Sequence, residues 1–186
     1  SAYKKKLIQQ IPEFELAGIT EKKRNRLTKV EVTKLFSIKW ENERSYIANL
    51  LSATTGMRLS EIQALKVSDI KMDGSLTVYK MWDRRTKTIK PRTKNGKIRK
   101  LQLPNDIISY LQKYISKHPY KDIDGFLFYS ELTSEVPASD TIIMRPFHKA
   151  LEKIGITKEK RQELGICFHS WRYFCNSVLI ESGIPA

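Results

Sequence analysis

The sequence predicts an α+β domain, mainly α-helical, with a small three-stranded antiparallel sheet between its helices. Three features carry that expectation. Apolar residues recur at helical spacing on either side of residues 76–103, while that stretch holds short runs rich in β-branched and aromatic side chains. Cap and stop residues frame the helical parts, with Thr28, Asn42 and Ser139 before them and Gly56 and Gly155 after. Asn95-Gly96 is a dipeptide that favours a two-residue hairpin turn.

Thr28-Lys29-Val30-Glu31 has the form of a capping box, so a short helix follows to about residue 38, with Val32, Leu35 and Phe36 inward. Asn42 caps a second helix whose Ile47, Leu50, Leu51 and Thr54 share one face, and Gly56 suits the position just past its end. A third short helix covers residues 59–65, with Leu59, Ile62 and Leu65 at helical spacing. Ser68-Asp69 and Asp73-Gly74 mark turns. Residues 76–81, 86–92 and 98–103 read as three strands, the last two joined through Asn95-Gly96. Pro104-Asn105-Asp106 opens a helix with Ile107, Ile108, Leu111, Tyr114 and Ile115 on one face, ended by His118-Pro119. Phe126-Leu127-Phe128 is a short buried segment. Ser139-Asp140 starts a helix with Ile143, Phe147, Leu151 and Ile154 inward, in which Pro146 is a point of kinking and Gly155 the stop. A last helix begins near His169 and carries Trp171, Phe174, Cys175 and Val178 on one face.

A chain of 186 residues with 40% apolar content suffices for one domain with a full core. Thirty-four Lys and Arg against twenty Asp and Glu give a net charge of +14, which points to a polyanionic partner, above all nucleic acid. Ten basic side chains fall within residues 80–100, against one acid, Asp83. A ribbon that is basic on both faces is poor core material and good material for lying against DNA. Residues 1–27 are polar and basic and read as a linker or arm; residues 28–186 form the domain. No apolar run is long enough to span a bilayer and no secretory signal is visible, so the expected location is the cytoplasm, with no membrane partner. Cys167 and Cys175 lack metal-ligand or CxxC spacing and read as free thiols in a reducing compartment.

The segment that organises the chain is Thr55-Gly56-Met57-Arg58-Leu59-Ser60-Glu61. Arg58 sits where one helix ends and another begins, beside positions that read as buried. A guanidinium there needs a counter-charge or an anion, because burying one unpaired is costly. Glu61, three residues on, is placed to brace it; taken alone, the two are a structural ion pair. Lys94 lies at the tip of the expected hairpin, and taken alone is one of many solvated lysines there. His169 and Arg172, in His169-Ser170-Trp171-Arg172, are three apart and share a helix face.

In this order and at these separations, the segments resemble the catalytic domain of the tyrosine recombinase family, the phage integrase type. The likeness covers residues 28–186, and each motif by itself is weak. It implies that family's catalytic-domain fold. It also implies a site-specific recombinase or integrase of a mobile element, which cleaves and rejoins double-stranded DNA through a 3′-phosphotyrosine. The expected assembly is a homotetramer on paired sites, nucleoid-associated when bound, with no cofactor or metal. Catalytic roles fall to Arg58, Lys94, His169 and Arg172, and an orienting role to Glu61.

The chemistry needs those residue types. Two lasting positive charges must hold the non-bridging oxygens of the scissile phosphate, and arginine does this in a fork; Arg58 and Arg172 are the candidates. A general acid must protonate the leaving 5′-oxygen, which suits Lys94, with Lys97 the competing choice. His169 is suited to hydrogen-bond the phosphate or shuttle a proton. Arg84, Arg85, Arg92, Lys97, Arg99 and Lys100 are expected to touch the DNA backbone. The family's nucleophilic tyrosine lies beyond His-x-x-Arg, after a further Gly-His or Gly-Trp element. This chain stops at Ala186, one helix earlier, and is therefore expected to be a truncated catalytic domain without its nucleophile. Tyr173 follows Arg172 directly and points about 100° away around the helix.

Three other classes compete. A helix-turn-helix regulator would use residues 51–65, with Gly56 in the turn and Gln63 and Lys66 as base readers. A catalytically dead DNA-binding relative would share the motifs without the reaction. A metal-dependent nuclease needs clustered carboxylates, which this sequence scatters.

Overall fold

A row of buried polar side chains on one central helix orients its neighbours. In the computed structural model, which describes residues 26–91 and 96–183, that helix is α2 (Glu43–Thr55). Its Ser45, Asn49 and Ser52 are buried together with Ile47, Ala48 and Leu51. Each polar group is satisfied. Ser45 Oγ donates to the Ile143 carbonyl at 2.6 Å, Asn49 Oδ1 accepts from the Trp171 indole at 2.8 Å, and Ser52 Oγ donates to the Met57 carbonyl at 2.7 Å. These bonds tie α2 to α5 (Asp140–Lys153), to α7 (Ser170–Glu181) and to the loop that follows it. Buried hydrogen bonds of this kind fix orientation more than they add stability.

The remaining helices are α1 (Lys29–Ser37), α3 (Leu59–Gln63), α4 (Asn105–Ser116) and α6 (Lys158–Glu163). The expected caps are in place. Thr28 and Glu31 form the capping box of α1, Asn42 accepts from the Ser45 N–H at the start of α2, and Ser139 accepts from Ile142 at the start of α5. Helix α5 runs through Pro146 as one element. Helix α6 has no counterpart in the sequence reading, because its Lys-Glu-Lys-Arg-Gln-Glu segment carries no apolar face. The core fills the space between α2, α4, α5 and α7, with Trp171, Phe128, Phe147, Leu35 and Leu111 fully buried. Leu27 is 1% exposed and belongs to it. Residues 1–25 of the expected arm lie outside the described residues.

The sheet differs from the expected three consecutive strands. The described residues form two separate antiparallel ladders: β1 (Ser75–Val78) with β4 (Arg99–Gln102), and β2 (Met81–Asp83) with β3 (Thr88–Lys90). The run expected as one strand over residues 76–81 breaks at Lys80. That lysine is buried, and its Nζ pairs with Asp69 Oδ2 at 2.6 Å. The chain leaves the first ladder after Val78 and enters the second at Met81, with Lys80 held inward between them. The tight turn falls at residues 84–87, where Lys87 takes φ 53°. The two strands expected to pair across Asn95-Gly96, β3 and β4, are not partners; β4 lies against β1, with Val78 opposite Arg99 and Leu76 opposite Leu101. Asn95 itself lies outside the described residues.

Candidate active site

Arg58 is placed by the two helices it separates. Gly56 ends α2 in the left-handed region at φ 64°, with its N–H donating to the Ser52 carbonyl at 2.9 Å. Glycine carries no strain there. Met57 is then buried, and Arg58 becomes the N-cap of α3, its carbonyl accepting from Ile62 N–H at 2.9 Å. Glu61 closes the arrangement from within the helix. Its Oε2 accepts the Arg58 backbone N–H at 3.0 Å, and its Oε1 accepts from Arg58 Nη1 at 3.1 Å. The Glu61 side chain is 1% exposed and that of Arg58 19%. The brace expected from sequence is present.

A second arginine joins the same carboxylate. Arg99 projects from β4 on the inner face, opposite Val78, and its Nη2 donates to Glu61 Oε2 at 2.7 Å. Its side chain is 26% exposed. Sequence reasoning expected Arg99 to touch the DNA backbone; in the structure its guanidinium is paired with Glu61. The signal was in the strand period. Leu103 is buried and Leu101 half-buried, and two further steps back along the same face reach Arg99, while Ile98 and Lys100 point outward.

Arg172 reaches the cluster from α7. Trp171 is fully buried and anchored on Asn49, which sets the rotation of α7 about its axis. Arg172 Nη1 then donates to the Gly56 carbonyl at 3.1 Å, two residues before Arg58. Arg172 has no ion-pair partner among the described residues. Burial, together with the Arg58 and Arg99 guanidiniums, holds its pKa below the ordinary arginine value, against the pull of Glu61. Three guanidiniums and one carboxylate leave two positive charges unbalanced in a half-buried place. An anion is the group that balances them. The neighbouring Cys175 donates its thiol to the Thr54 carbonyl at 3.6 Å, and burial pushes its pKa up. It and Cys167 are free thiols, as expected.

His169 is the N-cap residue of α7, half-buried, with its ring edge-on to Tyr173 at 5.2 Å between centroids. It and Arg58 line one cleft of about 470 Å³, which Trp82, Asp83, Arg84 and Arg85 line as well. Gln63, foreseen only as a base reader of the helix-turn-helix alternative, and Asp140, not foreseen as a site residue, also line it. Gln63 Nε2 donates to Asp140 Oδ1 at 3.0 Å, and Arg84 forms an ion pair with the other Asp140 oxygen.

The structure thus brings Arg58, Glu61, His169 and Arg172 together. Lys94 and Arg92 lie outside the described residues. Arg85, Lys97 and Lys100 are exposed, and Arg84 is exposed but paired. The helix-turn-helix alternative fails on burial. Helix α3 has five residues, of which Glu61, Ile62 and Gln63 are buried, so it offers no recognition face, and Gln63 is spent on Ala138 and Asp140. Among the described residues no three His, Cys, Asp or Glu side chains gather to hold a metal ion, and no helix is long and apolar enough to cross a membrane.

The model of the phage integrase family matches residues 25–186. The chain belongs to the phage integrase family. No curated protein sequence matches this integrase-family chain significantly. Its fold is that of tyrosine recombinase catalytic domains. A Tn1549 transposon integrase in complex with circular intermediate DNA superposes with a TM-score of 0.69 at 16% identity, over 87% of this chain and 56% of that one. A XerA recombinase gives 0.61 at 21% identity, over 86% and 52%. A lambda integrase dimer bound to a core site gives 0.53 at 22% identity, over 87% and 54%. The chain spans about half the length of these structures.

Proposed function

We propose that this chain is the phosphate-binding part of the catalytic domain of a site-specific DNA recombinase. The reaction is cleavage and rejoining of one DNA strand through a 3′-phosphotyrosine. The observation that supports it is the gathering of Arg58, Arg99 and Arg172 around the single buried carboxylate of Glu61, which leaves an uncompensated positive site at the wall of an open cleft. Solved relatives of the same fold are described in complex with DNA.

In this reading Arg58 and Arg172 hold the non-bridging phosphate oxygens and stabilise the charge that builds up at phosphorus. Glu61 aims Arg58. His169, at the rim of the same cleft, hydrogen-bonds the phosphate or relays a proton. Lys94 protonates the leaving 5′-oxygen, a role that rests on its place in the sequence motif. The exposed Arg85, Lys97 and Lys100 follow the DNA backbone. The attacking tyrosine is not among residues 1–186, and the working form is a tetramer on paired sites in the cytoplasm. The chain alone therefore binds DNA without cutting it.

The test uses the complete reading frame with a suicide substrate. Covalent adduct should form without magnesium, and Arg58→Ala and Arg172→Ala should each lower its rate by about 10²–10³ with the fold retained. Undiminished cleavage by both variants, an absolute requirement for magnesium, or an adduct mapped to Tyr173 contradicts the proposal.

A further inference from the structure

We infer that Arg99 is a positioning residue of the phosphate site: it takes over the Glu61 carboxylate when Arg58 turns its guanidinium to an anion. The inference rests on the reading of Arg58 as a phosphate ligand and adds to it a partner that compensates the buried charge.

The Glu61 carboxylate is divided between two arginines. Oε1 takes Arg58 Nη1 at 3.1 Å, and Oε2 takes Arg99 Nη2 at 2.7 Å together with the Arg58 backbone N–H at 3.0 Å. Each guanidinium thus has a single bond to a group that one guanidinium can grip with two. The Arg99 Nε is buried and has no hydrogen-bond partner among the described residues. Nε and Nη2 lie on one edge of a guanidinium, so the unused donor is next to the one already on Glu61. A buried N–H without an acceptor is unfavourable. The acceptor that would complete this edge is Oε1, the oxygen Arg58 now occupies.

The two arginines are not equally free to leave. Arg58 has the longer bond and faces the cleft, while Arg99 is set in the β1–β4 ladder opposite Val78. When Arg58 engages a phosphate, Glu61 would lose a counter-charge in a place almost closed to water. Arg99, by closing its edge on both oxygens, keeps that carboxylate paired and in place. Its Nε gains the missing acceptor in the same movement.

Titrating inorganic phosphate into the 186-residue chain, with the arginine Nε–H resonances followed by NMR, tests this. Phosphate should move the Arg58 and Arg172 signals and also shift the Arg99 Nε–H downfield and slow its exchange. Arg99→Met should weaken phosphate about tenfold, more than Lys100→Met, which removes the same charge from the outer face of the strand. Arg99→Lys, with the charge but not the fork, should recover part of the loss. In a Glu61→Gln background Arg99→Met should change little. Equal weakening by Arg99→Met in both backgrounds makes Arg99 a direct ligand and overturns the inference. So does phosphate binding through Arg58 with the Arg99 signal unmoved, a readout in the unmutated chain that stands even if Arg99→Met melts at the assay temperature. Phosphate that leaves the Arg58 and Arg172 signals in place removes the phosphate site itself, and this inference with it.

Discussion

Arg172 donates from Nη1 to the backbone carbonyl of Gly56 at 3.1 Å, joining the last helix to the loop that carries Arg58. The bond spans 116 residues of sequence. It depends on the left-handed turn at Gly56, which aims that carbonyl, and on the buried Trp171, which aims Arg172. The two candidate phosphate-holding arginines are therefore registered through main chain as well as through charge.

Gly56→Ala should lower stability by about 1–2 kcal/mol, the cost of a non-glycine residue in the left-handed region. An added Cβ would lie 3.5 Å from Cys175 Cβ and Sγ, ordinary contact, so the backbone and not a clash sets the loss. Urea unfolding measures it. A loss above about 4 kcal/mol would mean that α7 is displaced, since backbone strain alone does not reach that size.

Asn49→Ala should cost about 2 kcal/mol, because it leaves the buried Trp171 indole N–H without its acceptor at 2.8 Å. The same variant should weaken DNA binding, since α7 carries Arg172 as its next residue. Denaturant titration and fluorescence anisotropy on a duplex read the two effects separately. Unchanged stability would mean that the indole finds another acceptor.

Stability should fall as the solution is made acidic. Burial holds the His118 imidazole below the ordinary histidine range, helped by Arg44 and opposed by its bonds to the Phe126 and Leu127 carbonyls. Its Nε2 lies 2.9 Å from the Phe126 oxygen, and its Nδ1 accepts the Tyr120 N–H at 3.0 Å. Protonating Nδ1 breaks that second bond. As pH falls the unfolded chain takes up this proton first, at about 6.5. The contribution is complete above that pH and is lost on the way down toward the lower folded value. Burial lowers His148 too, so it adds in the same direction. Melting temperatures from pH 8 to pH 5 should decline, and His118→Gln should flatten the decline. An unchanged slope in that variant would assign the effect elsewhere.

Affinity for duplex DNA should fall steeply with salt, linearly in log–log form. Lys97→Gln and Lys100→Gln should each reduce the slope by about 1 and weaken all sequences alike, as phosphate contacts do. A variant that weakened one sequence selectively would mark a base contact. A slope near zero for the unmutated chain would remove nucleic acid as the partner of its charge.

The sequence by itself determined the helix ends. Thr28 with Glu31, Asn42 with Ser45, and Ser139 with Ile142 close their caps within three residues, so nothing distant enters. It also determined the Arg58–Glu61 brace, three residues apart on α3, and the joint placement of His169 and Arg172 on one helix. Only the tertiary structure decided the pairing of strands and the company of Glu61. A strand run read from composition does not say which edge it meets: β4 meets β1, and the chain between the two ladders carries the buried Lys80 paired with Asp69. Arg99 lies 38 residues from Glu61 and belonged, by composition, to a basic ribbon expected to lie against DNA. It is part of the site because the strand period and the β1–β4 register turn it toward a carboxylate too deeply buried to remain singly paired.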